Sequence, residues 1–432
     1  MVGVRHDDAQ TADRQEGTGQ LTTPSAPSTV SSPSTSSTLT APSTSSVFRT
    51  VPRAADVVII GGGVMGTSIA FHLAEAGVHN IVVVERGDLG SGSSGKPIGG
   101  VRAQFSDPLN IELGRRSLRA FQDFPHRPGA GIRFDRVGYL FLLTSERQAA
   151  DFEVSVGIQN GLDVPSRMVG PREARQLCPY LSTDGLVAAV HSPDDGHARP
   201  ALVVQGYAAA AARAGVVFAT HTGVTGIDTA GDRVTAVHTD RGPVSCSAVI
   251  CAAGAWSGRI GDLAGVPLPV RPVRRQLAFT EPLTPPAPRI PFTIDFSSSA
   301  YFHNSDDGLL FGLADPDQPD GFDTTWTPEW LALFRDVVRH RAPALAQMRT
   351  SGGWAGLYEV TPDHNALIGR SGELTNFLYA TGFSGHGFLQ APAVGGIVRD
   401  LYLEREPFVD ISPLAADRFR AGAESRPEAH VV

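Results

Sequence analysis

Residues 54–87 read AADVVIIGGGVMGTSIAFHLAEAGVHNIVVVERG, and the order of residue types in this stretch decides the fold. DVVII, residues 56–60, is a short β-branched apolar run bounded by glycines, the pattern of a strand buried on both faces. Gly61, Gly63 and Gly66 then fill the three positions of GxGxxG. The first permits a tight turn, the second lets backbone approach a pyrophosphate, and the third lets the next helix pack closely on the strand. MGTSIAFHLAEAG carries that helix to Gly77, and NIVVVE forms the following strand, closed by Glu85. The helix start, with Val64 and Met65, offers unpaired N–H groups and positive dipole character to a phosphate. Glu85, followed by Arg86, is placed to accept hydrogen bonds from ribose hydroxyls. A lone GxGxxG is weak evidence, but strand, glycine turn, helix and terminal acid in this order specify a βαβ dinucleotide site. The unit alone does not separate NAD from FAD.

The rest of the chain sets bounds. Its 432 residues exceed one typical domain, so two lobes are expected. A hydrophobic content of 41% and 47 glycines suit an α/β protein with many strand-to-helix turns. The net charge of −8, with no dense Lys/Arg run, argues against nucleic acid as a partner. No apolar run approaches the roughly 18 residues of a membrane span. Cys178, Cys246 and Cys251 are odd in number and show no CxxC spacing, which points away from a disulfide framework or a metal site. A reducing, cytoplasmic setting is expected. Residues 1–50 stand apart, being dominated by Ser, Thr, Pro and Ala, and are expected to be a disordered extension.

A second glycine cluster lies at YATGFSGHGFLQAPAVGG, residues 379–396. Gly382, Gly385 and Gly387, with His386 between them, precede a stretch of helical character. Such glycines serve either a surface turn or a close approach of backbone to a ligand. The segment alone leaves both open.

From residue 54 to about residue 400 the order of features resembles the glycine oxidase, sarcosine oxidase and D-amino acid oxidase family of FAD enzymes. The resemblance rests on GSGSSGKPIGGVRAQFS (90–106), DDGHARPALVVQGYAAAAARAGVVF (194–218), AVICAAGAWSGRIGDLAG (248–265) and VRPVRRQLAFTEPL (270–283). It rests also on SAYFHNSDDGLLFGLAD (299–315), WAGLYEVTPDHNALIG (354–369) and the second glycine cluster. It implies an α/β fold: a Rossmann-like FAD-binding domain with a second, α+β substrate domain on a mainly antiparallel sheet. The cofactor domain is expected at 54–135, 197–265 and 351–405, the substrate domain at 136–196 and 266–350, and a tail at 406–432. FAD rather than NAD is implied. Ser93, Ser94, Gly99, Gly100 and Val101 would pass beside the flavin, and Val224, Ala253, Gly254 and Trp256 would contact the cofactor a second time. Gly356 and Tyr358 belong to one flavin segment. Gly382, Ser384, Gly385, His386, Gly387, Phe388 and Leu389 belong to the other, at the ring's pyrimidine edge, where backbone donors and a helix start stabilise negative charge. His386 is read there as a loop-structuring or flavin-side residue rather than a proton carrier.

Departures from the family narrow the function. The family's covalent attachment points, a cysteine near GLYEVTPD and a histidine after the arginine matching Arg199, have no counterpart; Pro200 occupies the second. FAD is therefore expected to be non-covalent. A carboxylate-holding lysine is replaced by Leu389, and the lysine and histidine of the substrate hairpin by Leu310 and Ala314. An arginine of related oxidases falls near Tyr358. Candidates for the substrate carboxylate are Arg102, Arg274, Arg275, Tyr301, His303 and Tyr358, with Arg102, Tyr301, Tyr358 and His386 as the catalytic set. The replacements make the expected pocket more apolar. They point to an N-carboxymethyl or similar secondary amine with an apolar body, oxidised at C–N to an imine that hydrolyses to glyoxylate and free amine, with O2 as acceptor. Two alternatives stand beside this reading: the FAD subunit of a sarcosine- or proline-type dehydrogenase, and a flavin-fold interaction protein without turnover.

Overall fold

Strand β1 (Ala54–Ile60) is the centre of the first sheet, with Val57 through Ile60 all buried. It pairs in parallel with β2 (Ile81–Val84) on one side and with Gly242–Cys251 on the other. The computed structural model in which this is seen describes residues 51–420 and 427–431. The expected disordered extension, 1–50, lies outside the described residues. The core sheet order is Leu367–Arg370, Phe377–Thr381, Gly242–Cys251, β1, β2, Val217–Ala219, and two further strands, Val224–Ala230 and Arg233–Thr239, extend from Gly242–Cys251. Parallel pairing buries both faces, which is why the central strands read as unbroken Val/Ile runs rather than alternating ones.

Helix α1 (Val64–Glu75) follows β1 through the glycine turn and is buried over its first ten residues. It needs neighbours on both sides and finds them in the helices Pro200–Arg213 and Gly387–Tyr402. Small side chains permit the approach. A Cβ on Gly395 would lie 2.4 Å from Ser68 Oγ, and that hydroxyl donates to the Ala391 carbonyl at 2.7 Å. Each aliphatic side chain buried at such a contact contributes about 1.5–3 kcal/mol.

The second sheet runs Thr350–Val360, Arg271–Thr280, Gly308–Leu313, Ala300–Ser305, Phe292–Asp295, Tyr139–Leu143, Ala188–Ser192, Arg167–Val169. Its neighbours are antiparallel except for Phe292–Asp295 against Tyr139–Leu143. The helix Trp330–Arg341 covers one face, with Phe334 stacked on Phe311 at 4.3 Å between ring centroids. Thr350–Val360 pairs along its length with Arg271–Thr280. The expected domain boundary at 351 therefore falls at the start of a strand of the second sheet. That strand's far end, at Gly356 to Glu359, reaches the cavity at the edge of the first sheet.

Two helices frame the junction between the sheets. Helix α2 (Pro108–Asp123) starts at Asp107, whose carboxylate accepts from the N–H groups of Leu109 (2.9 Å) and Asn110 (3.3 Å). Helix α3 (Glu146–Gly161) starts at Ser145, whose hydroxyl accepts from Gln148 N–H. Both are side-chain N-caps that satisfy otherwise orphaned donors.

Candidate active site

A cavity of about 730 Å³ opens at the carboxyl ends of β1 and β2, where the sequence places the glycine turn. Gly61, Gly63, Val64, Met65, Glu85, Arg86, Ser93 and Ser94 line its floor. Val224, Ala253, Gly254, Trp256, Gly356, Tyr358, Gly385, Gly387 and Phe388 line it from the other side. These are residues that six separate stretches of chain bring together. At the turn, the Glu85 carboxylate accepts from the N–H groups of Gly62 and Gly87, both at 2.8 Å. Ser94 Oγ accepts from the N–H of Val64 at 2.9 Å, occupying one donor at the start of α1.

Several expected residues serve the cradle without facing it. Gly66 lies under the turn, where a Cβ would come within 1.9 Å of the Gly61 carbonyl oxygen; its task is helix–strand packing. Gly99, Val101, Gly382 and Ser384 line neither this cavity nor its neighbour. Gly99 abuts the Ala198 carbonyl and Gly382 the Thr361 side chain, Val101 is fully buried, and Ser384 Oγ accepts from the N–H of Thr361 at 3.2 Å. They are the back layer of the two loops, because alternate residues of a tight loop must face the body that holds it.

A second cavity, about 100 Å³, adjoins the first and shares Ser93, Lys96, Gly356, Tyr358, Gly385 and Phe388 with it. Gly100, Arg102, Tyr301, His386 and Leu389 face this space, together with Tyr139, Arg275, Leu277, Phe292 and Ile294. The loop before the helix Gly387–Tyr402 forms the partition. Gly385 has φ +100°, and a Cβ there would lie 2.5 Å from the Tyr358 ring, so only glycine lets loop and ring touch.

Arg102 is 4% exposed and all its hydrogen bonds go to neutral acceptors. One nitrogen donates to the Gln104 carbonyl, and Nη2 donates to His386 Nε2 (3.1 Å) and to the His430 carbonyl (2.8 Å). Its face lies over the Phe105 ring at 4.1 Å. Burial, and then the Arg102 charge, push the His386 pKa down, so His386 is a neutral acceptor here. Burial raises the phenols of Tyr139, Tyr301 and Tyr358 above their usual range. Arg275 donates to the Arg274 carbonyl at 3.2 Å and lies over the Tyr358 ring at 5.2 Å, and its Nε is buried without a partner.

The other carboxylate candidates are elsewhere. Arg274 pairs with Asp323 at 2.7 Å, and His303 stacks between Phe292 and His197 without lining the cavity. Of the three replacements read from the sequence, Leu389 faces the cavity, whereas Leu310 and Ala314 do not.

Two residues escaped the sequence reading. Lys96 lines both cavities. Glu359 sits half-buried in the cofactor cradle, accepts from Thr381 Oγ1 (2.9 Å) and Gly382 N–H (3.1 Å), and is raised by desolvation to about 7. An acid inside a strand with buried neighbours was the available signal. Among the described residues no cluster of His, Cys, Asp or Glu could hold a metal ion, and no helix is long and apolar enough to cross a membrane.

The arrangement fits a flavin dinucleotide. Two helix starts and their loops meet at one long cavity, an acid closes the second strand, and glycines clear the approaches. The comparisons agree. A family model described as FAD dependent oxidoreductase (DAO) matches residues 56–401. FAD-dependent oxidoreductase domain-containing protein 1 of Bos taurus is 30% identical, covering 87% of each chain. Glycine oxidase of Geobacillus kaustophilus is 28% identical over 84% of this chain and 97% of its own. The crystal structure of L-proline dehydrogenase from P. horikoshii superposes with a TM-score of 0.81 at 31% identity, covering 86% of this chain and all of that one. The chain belongs to the DAO family of FAD-dependent oxidoreductases, a family whose members among its relatives include a glycine oxidase and an L-proline dehydrogenase.

Proposed function

We propose that the substrate is an N-substituted glycine or similar secondary amino acid with an apolar body, and that Arg102 holds its carboxylate. One observation carries this reading: a buried guanidinium, hydrogen-bonded to neutral acceptors, faces a cavity that Arg275 and Lys96 also line and whose remaining walls are largely apolar or aromatic. Burying a cation is costly, and the carboxylates of Glu428 and Asp195 favour the Arg102 charge from nearby without hydrogen-bonding it, so a substrate carboxylate would supply a direct anionic partner. The glycine oxidase and L-proline dehydrogenase among the relatives are named for amino acids that carry a carboxylate beside the C–N bond. Leu277, Phe292, Ile294 and Leu389 offer the apolar walls, each square ångström buried contributing roughly 25 cal/mol.

Bound FAD, held without a covalent link, supplies the two-electron acceptor. The residues of this chain orient and shield. Arg102 fixes the carboxylate, His386 fixes Arg102, and the Tyr301 and Tyr358 hydroxyls, protonated at neutral pH, are donors for the amine-bearing end. The start of the helix Gly387–Tyr402 aims its positive end at the partition where negative charge collects. The substrate loses hydride from the carbon beside nitrogen; water adds to the resulting imine and releases glyoxylate and the free amine. O2 is the proposed acceptor that returns the enzyme to its starting state. The likeness to L-proline dehydrogenase favours a second reading, in which electrons pass to a protein partner; an enzyme that reduces dyes but not O2 would establish it. The three cysteines are unpaired, in keeping with the cytoplasmic setting we assign.

Anaerobic stopped-flow bleaching of the flavin, comparing sarcosine with N-carboxymethyl amines of growing alkyl length, tests the proposal. The ratio of reduction rate to Kd should rise with chain length. A ratio that is best for sarcosine or glycine and falls as the chain grows refutes the apolar body.

A further inference from the structure

Residues 427–431, part of what the sequence treats as a tail, lie against Arg102. Glu428 is 3% exposed. Its carboxylate accepts from the N–H (2.9 Å) and hydroxyl (2.7 Å) of Ser106, the N–H of Asp107 (3.2 Å), Asn110 Nδ2 (3.0 Å) and the N–H of His430 (2.9 Å). All but the last belong to the start of α2, where helix dipole favours an anion. Burial works against this carboxylate, but the donors from Ser106 and His430 hold its pKa below the usual carboxylate range. Ala429 N–H in turn donates to Ser106 Oγ at 3.0 Å.

Two residues on, the segment reaches the other domain. The His430 ring stacks on Phe152 of α3, with centroids 3.9 Å apart and planes 8° from parallel. Its Nε2 lies 3.3 Å from Ser155 Oγ, and its carbonyl accepts from Arg102 Nη2 at 2.8 Å. Five residues therefore tie the start of α2 to the face of α3 and touch a guanidinium that lines the second cavity. An ionised carboxylate is buried only where its hydrogen bonds are met, and here they are met by donors from a built structure.

We propose that residues 427–431 act as a clasp that positions Arg102: Glu428 fixes the segment to α2, and the His430 carbonyl sets the direction in which the guanidinium faces the substrate carboxylate. The proposal rests on Arg102 being the carboxylate anchor. Of the three acceptors that hold the guanidinium, the Gln104 and His386 acceptors come from the two flavin loops and only the third comes from this segment. Glu428 and the backbone of His430 are thus positioning groups, acting through Arg102 rather than on substrate.

The test uses the FAD-loaded full chain, with acetate as a minimal carboxylate and acetamide as its uncharged counterpart, each titrated by the flavin absorbance change. Hydrogen exchange at the amides of Ala429 and His430 reports independently on docking of the segment. Glu428→Ala should speed that exchange and weaken acetate about tenfold, with acetamide binding and FAD content nearly unchanged. Glu428→Gln, which keeps one acceptor oxygen, should fall between the two, and the KM of a carboxylate substrate should rise more than kcat falls. Phe152→Ala, which removes the stacking partner of His430, provides the same comparison if Glu428→Ala does not fold. Fast exchange with unchanged acetate binding, while Arg102→Lys binds acetate poorly, overturns the clasp and leaves the anchor standing. Unchanged exchange in both Glu428→Ala and Phe152→Ala also overturns the clasp. Wild-type acetate affinity in Arg102→Lys overturns the anchor and the clasp together.

Discussion

The Glu85 carboxylate accepts hydrogen bonds from Gly62 N–H and Gly87 N–H, each at 2.8 Å, so the acid that closes the second strand also holds the glycine turn. The same carboxylate lines the larger cavity, with lone pairs left for ribose hydroxyls. Glu85→Ala should therefore weaken FAD retention by about 1–3 kcal/mol, the range for a charged acceptor. Flavin occupancy after dialysis measures this. Occupancy equal to wild type would reduce Glu85 to a brace for the turn.

The flavin should leave with the solvent when the protein is precipitated by acid. Gly356, in the segment where the family resemblance implies an attachment cysteine, lines the cofactor cavity, and Pro200 stands where it implies a histidine. Neither can form the bond. The cysteines are elsewhere: Cys178 packs in the core beside the second sheet, Cys251 ends the strand Gly242–Cys251 next to β1, and Cys246 lies within that strand. Yellow colour held in the pellet would contradict this.

Gly385→Ala should retain FAD but lose turnover. The new Cβ would meet the Tyr358 ring at 2.5 Å on a backbone at φ +100°, so the loop or the ring must move. Tyr358 borders both cavities, and a shift of about 1 Å at a positioned group can cost on the order of a hundredfold in rate. Single-turnover reduction measures the loss. A rate within about twofold of wild type would show that the partition tolerates displacement.

Asp195 gives a pH dependence of defined sign. It is fully buried, accepts from Ala103 N–H at 3.1 Å, and is raised by burial from 3.8 to about 7, the Ala103 bond opposing the rise. A carboxyl whose folded pKa exceeds its unfolded value stabilises the fold fully below the unfolded pKa and loses that contribution as pH rises through the folded one. Asn keeps the acceptor and never ionises. Asp195→Asn should thus match wild type at about pH 4 and exceed it at about pH 8, by an upper bound of about 4 kcal/mol. Melting temperatures at the two pH values check this. A destabilised variant at the higher pH would mean that the charged form is compensated.

The sequence by itself determined the logic of the first sheet and its glycine turn. Local order is enough to specify a βαβ unit: a β-branched run, three glycines, a helix and an acid can be read without knowing what surrounds them. The ordered motifs from Arg102 to Gly387 likewise carried the family and FAD, because each is a local shape that the cofactor demands. What the tertiary structure decided is which of these residues face the cavities. Gly99, Val101, Gly382 and Ser384 are in the right loops but on their inner side, and a loop's facing is set by what it packs against. Arg274 and Arg275 are adjacent in sequence. Because side chains on a strand alternate, one pairs with Asp323 while the other lines the second cavity. Arg102 and His430 are 328 positions apart, and no local pattern marks their contact. Only the fold brings that carbonyl to that guanidinium, because the two meet through packing of α2 and α3 rather than through spacing along the chain.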